Sequence, residues 1–287
     1  MDGASALKIE HFARWDDLPP AYDGLEPEGA ALPLLAGQDW LELLSTTGLQ
    51  AGLRTHLIGA RRAETGLALL PLLINKQGRR FHRLDGLTTY YSLDFAPLGA
   101  KDDHLALALD RIAAEIGRTG LASTVCFNPL PVDGDAFNLL NHAFENAGFR
   151  TSTFRQSGRW FVRTADQNYD AYLSGRPSNL RNTLQRRMSQ AEKAGEVSFE
   201  IAALPDDVAR LLPAYEAVYQ KSWKTSEPSP GFIPALCRWA AQTKALRLGV
   251  LSFANQPVVA QIWLISGPTD EPRASIYKLA HDPAAEL

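Results

Sequence analysis

Cysteine is scarce: Cys126 and Cys237 are the only two in 287 residues, and they form no CxxC pair. That spacing gives no zinc ribbon and no disulfide framework, and it suits two reduced, mostly buried thiols. HExxH and clustered acidic ligands are missing as well, so no metal is expected. Neither GxxxxGK[ST] nor GxGxxG occurs, which removes the P-loop and the dinucleotide fingerprint. Long apolar runs are absent too. The longest, such as Leu67–Ile74, are far too short to span a bilayer. Met1–Ser5 shows no basic segment leading into an apolar core, so no signal peptide is expected and the chain is placed in the cytoplasm. Charge of neither sign dominates. A net charge of −3 argues against a dedicated nucleic-acid binder, although it leaves room for a local basic face.

What is present is ordinary globular material: 45% of residues are hydrophobic and 21% charged, enough to bury a large core in one or two domains. Leu7–Ala13 alternates like a strand, and Trp15–Pro33 is an acidic, proline-rich connection. Leu34–Thr46 has helical spacing. Leu53–Arg61 and Gly66–Asn75 are strands joined by a polar turn, followed by the basic turn Lys76–Arg80 and the extended pieces Phe81–Leu84 and Thr88–Leu98. Asp102–Arg118 is an amphipathic helix with acids at its positive end. Ser123–Asn128 is a short strand, Asp135–Ala147 a helix that stops at Gly148, and Arg150–Phe154 and Arg159–Arg163 are strands again.

The second half repeats the order loosely. Tyr169–Leu173 and Pro177–Lys193 are helices, Val197–Ala202 a strand, and Asp206–Trp223 and Phe232–Thr243 further helices. Three strands close the chain: Leu246–Phe253, Pro257–Ser266 and Arg273–Ala280. Arg54–Leu73 and Arg247–Leu264 compare well, each a strand, a polar turn and a strand with a proline (Pro71, Pro257). The layout is therefore α/β (α+β), with two related units in tandem over 1–158 and 159–287.

Three stretches could carry chemistry. In the 177–193 helix, Leu180, Leu184, Met188 and Ala191 mark the core face, leaving Arg181, Arg186 and Arg187 on polar sides. Arginines grouped with amides hold phosphate or carboxylate well, although such a face also suits a solvated helix paired to Glu192 and Glu196. In Tyr215–Glu227, the tyrosines at helical spacing belong to a core, whereas Trp223 and Lys224 sit where the helix must end before Pro228. Residues there can line a cleft, and Glu227, the one carboxylate of this loop, is a candidate general base. In Tyr277–Asp282, Lys278 interrupts an apolar strand, which is costly unless the ammonium is paired or at a cleft. His281 shares its strand face with Tyr277 and Leu279 and is either a strand-end histidine or a catalyst.

Taken together, Leu173–Lys193, Tyr215–Lys224, Leu246–Ser266 and Ser275–Asp282 resemble the GNAT-type acyltransferases, in particular the CelD/BcsL-like and FemAB-like branch with two tandem GNAT-like units. The first half matches in layout only, including Tyr90–Pro97. The resemblance implies mixed, mainly antiparallel central sheets flanked by helices, with an acyl-CoA such as acetyl-CoA inserting between two splayed strands. Its function would be N-acyl transfer to an amine acceptor, a small molecule or a sugar-linked precursor of a surface polysaccharide, by direct attack on the thioester. Tyr277, Leu279 and Ala280, with Lys278, would form the wall beside the thioester, and backbone amides there would polarise its carbonyl. Glu227 or His281 would take the amine proton. Arg181, Arg186, Trp223 and Lys224 would face acceptor or cofactor. The family's pyrophosphate-binding turn and helix do not follow Asp282, so the second unit is expected to be incomplete at its C-terminus. Two alternatives stand beside this reading: a FemAB-like aminoacyl transferase using charged tRNA, and a non-catalytic GNAT-like binding module.

Overall fold

The computed structural model describes residues 6–75, 83–100, 104–156, 158, 160–164, 167–267 and 271–285. The basic turn expected at Lys76–Arg80 and the acids Asp102 and Asp103 lie outside them. The chain divides into two compact units, Met1–Thr153 with Pro228–Ala235, and Phe154–Glu227 with Leu236–Leu287.

The first unit is built on a seven-stranded mixed sheet. β1 (Lys8–Phe12) pairs antiparallel with β3 (Leu53–Arg62), β3 with β4 (Thr65–Asn75), and β4 with β5 (Arg83–Gly86). β7 (Thr124–Cys126) joins β5 in parallel, while the two-residue strands β2 (Glu26–Pro27) and β6 (Leu98–Gly99) attach to β4 through β6. Gly66–Leu73 of β4 is buried without interruption, so both faces of the sheet centre are covered. Pro71 sits in this central strand, where a proline normally removes a ladder bond. Its carbonyl accepts from the Leu87 N–H at 3.0 Å, and the N and O of one strand residue point the same way. The missing N–H therefore falls at the break where β4 changes partner from β6, which ends at Leu69, to β5, which begins at Leu72.

Helix α1 (Gln38–Leu43) runs into a π turn over Leu44–Gly48. Helix α2 (His104–Thr119) lays Leu105, Ala108, Leu109, Ile112, Ala113 and Ile116 on the sheet beside Ile58, Ala60 and Leu70, as its spacing predicts. Helix α3 (Asp135–Asn146) adds Leu140, Ala143 and Phe144 and ends before Gly148, which has φ +86°. Residues Pro228–Ala235 act as a strap of the same unit: Phe232 stacks on Tyr91 with ring centres 4.0 Å apart and meets Trp40 edge-on at 5.8 Å. The Tyr91 hydroxyl fixes that strap, accepting from the Ser229 N–H at 3.0 Å and donating to the Ser229 carbonyl at 3.2 Å.

The second unit centres on a four-stranded antiparallel sheet in the order β11-β10-β9-β8. It opens with α4 (Tyr169–Ser174), capped by the Asn168 side chain, and α5 (Ser178–Ala194), ended by Gly195 at φ +71°. β8 (Val197–Ala202) leads to α6 (Pro205–Lys221), which starts on Pro205 with Asp206 and Asp207 in its positive first turn. Pro213 inside α6 deprives the Ala209 carbonyl of its helical partner, and both residues lie on the exposed side of the helix. Val208, Leu211, Leu212, Tyr215 and Val218 form its buried stripe. α7 (Phe232–Gln242) buries Leu236, Cys237, Ala240 and Ala241 in this unit. β9 (Leu246–Phe253), β10 (Gln256–Ser266) and β11 (Arg273–His281) then form a meander.

Two expectations are corrected. Arg150–Phe154 and the described part of Arg159–Arg163 form no strand: among the described residues none pairs with them, and Phe154, Trp160 and Phe161 are exposed. α5 has no buried residue, and Leu180 and Met188, placed on its core face by spacing, are both more than half exposed. Apolar periodicity marks which side of a helix can be covered, not whether a partner covers it.

Candidate active site

The end of α6 and the end of β11 meet in the second unit. α6 stops at Lys221, where the Ser222 hydroxyl caps the Tyr219 carbonyl at 2.7 Å, and the chain turns into the loop Ser222–Glu227. The Tyr219 hydroxyl, donating to the Thr225 carbonyl at 3.0 Å, holds that loop against its own helix. Lys221 reaches the Asp282 carboxylate at 3.5 Å, tying the helix end to the residue just past β11.

Within β11 the register against β10 slips: Ile262 faces Lys278, whereas Trp263 faces Ile276. Tyr277 is thus the extra residue of a β-bulge, a device that bends a strand and re-aims its side chains. Lys278 and Ala280 turn inward and are buried; Leu279 and His281 turn outward.

The Lys278 ammonium ends on Glu227. Its Nζ lies 2.8 Å from Oε1 and 3.2 Å from Oε2, with the two side chains only 9% and 11% exposed. The aligned hydrogen bond goes to Oε2. Oε1 is buried and accepts no aligned hydrogen bond, so its contact with the ammonium at 2.8 Å is an ion pair. Lys224 stands beside the pair. Burial pushes its ammonium below the ordinary lysine range, the Lys278 charge pushes the same way, and Glu227 opposes both. Its Nζ lies 5.8 Å from the centre of the Trp223 ring, and Trp223 in turn packs on His281 with ring centres 4.4 Å apart.

Five of the residues singled out in the sequence, Trp223, Lys224, Glu227, Lys278 and His281, therefore belong to one cluster, and Tyr277, Leu279 and Ala280 line the bulged strand that carries it. Arg181 and Arg186 do not join them. Both are exposed on α5, which packs lightly against β8, the edge of the sheet opposite β11. What sequence reasoning missed is the pairing itself. A lysine in an apolar strand and a lone carboxylate in a loop 51 residues earlier were each visible as oddities, but nothing in their spacing joined them.

Among the described residues, no group of three His, Cys, Asp or Glu side chains could hold a metal ion, and no helix is long and apolar enough to cross a membrane.

Residues 178–286 match the family model of an acetyltransferase (GNAT) domain. The match runs from α5 through β11 and so takes in the whole cluster, which supports reading this part of the chain as a GNAT-type acyltransferase. No curated protein matches the chain.

Proposed function

We propose that the protein is an acyl-CoA-dependent N-acyltransferase whose general base is Glu227, positioned by Lys278. The observation that carries this reading is the buried Glu227–Lys278 ion pair, set on a bulged strand inside the matched region. The acceptor amine donates an N–H to the Glu227 carboxylate and its nitrogen attacks the thioester carbonyl carbon. A C–N bond forms, the C–S bond breaks, and the proton taken by Glu227 passes to the departing sulfur. Backbone amides of Tyr277–Ala280 are the donors that meet the charge growing on the carbonyl oxygen, and fixed dipoles there act without reorganising. Lys278 keeps the carboxylate in one orientation, and His281, against Trp223 at the edge of the cluster, borders the acceptor side. Thiol release from acetyl-CoA with a panel of amines tests the reading. Glu227→Gln is expected to lower kcat by about 10²–10⁴-fold with little change in acetyl-CoA affinity, the usual worth of a general base. Unchanged kcat in that variant would remove Glu227 from the chemistry; no release with any short acyl donor would overturn the function.

A further inference from the structure

From Phe154 to Ile201 the chain differs from the rest of the second unit: none of its described residues is buried, although it contains α4, α5 and most of β8. Large apolar side chains are left in water there. Trp160 and Phe161 are 98% and 73% exposed, Leu180 and Met188 stand open on α5, and Phe199 and Ile201 on one face of β8. The same stretch is basic: residues 154–193 hold eight arginines and lysines against three acids, +5 within a chain of net charge −3. α5 separates the two characters around its axis. Leu180, Leu184, Met188 and Ala191 make an apolar stripe, and Arg181, Arg186 and Lys193 lie off it. A helix in water gains most of its stability by covering such a stripe. The described residues leave all 17 of α5 without burial, so the stripe calls for a surface from outside the chain.

We infer that this stretch is a docking surface for an anionic phospholipid bilayer, with α5 lying along the interface and not crossing it. Charge complementarity selects a negative partner and disfavours a second copy of the chain, which would set one basic stretch against another. The apolar stripe then selects lipid over nucleic acid. Phosphates of a nucleic acid would neutralise the arginines and leave Leu180 and Met188 in water. A bilayer surface takes both characters: the stripe enters the boundary of the acyl chains while Arg181 and Arg186 reach headgroup phosphates. Tryptophan settles at that depth, with its ring in the apolar boundary and its N–H towards water, which suits the open side chain of Trp160. The inference stands apart from the acyl-transfer reading, because it uses neither Glu227 nor Lys278.

The full chain is floated with vesicles of phosphatidylcholine alone and of phosphatidylcholine mixed with phosphatidylglycerol. Partitioning onto the mixed vesicles is expected to be at least about tenfold stronger than onto phosphatidylcholine, and to weaken as salt rises. Arg181→Gln with Arg186→Gln should cut it by about 20-fold, the worth of two surface cations near anionic lipid. Leu180→Ser with Met188→Ser, which leaves the charge unchanged, should cut it by about tenfold or more. All four side chains are exposed, so melting temperatures close to that of the unchanged protein show that each variant is folded. No flotation with either vesicle, equal flotation with both, or flotation that survives either pair of substitutions would overturn the inference. Two other results would do the same: binding of single-stranded RNA without flotation, and a dimer in sedimentation equilibrium that the Leu180 and Met188 substitutions dissolve. No turnover is measured, so failure here and failure of the acyl-transfer reading are separate outcomes.

Discussion

Placing an ammonium and a carboxylate together out of water costs several kcal/mol of hydration per ion, and attraction offsets this only while both are present. Lys278→Met alone is therefore expected to destabilise the second unit by about 3–5 kcal/mol, whereas Lys278→Met combined with Glu227→Leu should recover most of the loss. Urea unfolding of the two single variants and the double checks this; additive losses would mean the pair is not coupled. In the first unit, the Arg61 guanidinium bonded to Glu10 at 2.6 Å, helped by Lys8, holds the Glu10 carboxyl down to about 2 against burial. A depressed carboxyl contributes stability above its unfolded value of 4.5 that is lost as pH falls towards about 2. The melting temperature should drop through that window, and Glu10→Gln should flatten the drop. At this scale the sequence showed which side chains were out of place, Lys278 above all, but not where their partners stood. Distance along a chain carries no information about contact across a fold.

Elements were far more legible. The strands β3, β4, β8 and β9–β11 and the helices α2, α3, α6 and α7 appear within a residue or two of where apolar runs, periodicity and capping residues put them. Arg150–Phe154 and the described part of Arg159–Arg163 went wrong because β propensity was present without a strand among the described residues to pair with. The β9–β10 turn shows what spacing cannot reveal. Ala254 and Asn255 both take left-handed backbone, at φ +48° and +60°, the geometry of a two-residue turn that matches strand twist. Asparagine adopts it at lower cost than alanine, so Ala254→Asn should raise stability by about 0.5–1 kcal/mol, read as a higher melting temperature. A lower one would show that the alanine methyl makes a contact worth more than the strain. In β3, Gly59 has the opposite constraint: an added Cβ would fall 2.4 Å from the Tyr22 ring, so no side chain fits there.

For the whole molecule, the chain divides into two compact units, and the acetyltransferase match covers most of the second together with Pro228–Ala235 of the first. Phe154, Trp160 and Phe161, exposed and outside regular structure, are expected to be the first sites cut by chymotrypsin. Gel analysis of a timed digest should show two fragments meeting between residues 154 and 161, and initial cleavage elsewhere would contradict the assignment. The two fragments would not be independent, because the strap Pro228–Ala235 is covalently part of the later one and folds with the earlier.

That strap has a consequence for synthesis. A ribosome releases the chain from its N-terminus, so Trp40 and Tyr91 emerge long before Phe232, the ring that covers them. From Thr153 to Pro228 is 75 residues, about 4–15 s of translation at ordinary rates. Throughout that interval the nascent first unit carries an aromatic gap that its own finished sequence will fill. Expressing 1–153 alone makes the gap permanent, and a peptide spanning 228–235 added in trans is the reagent that should close it.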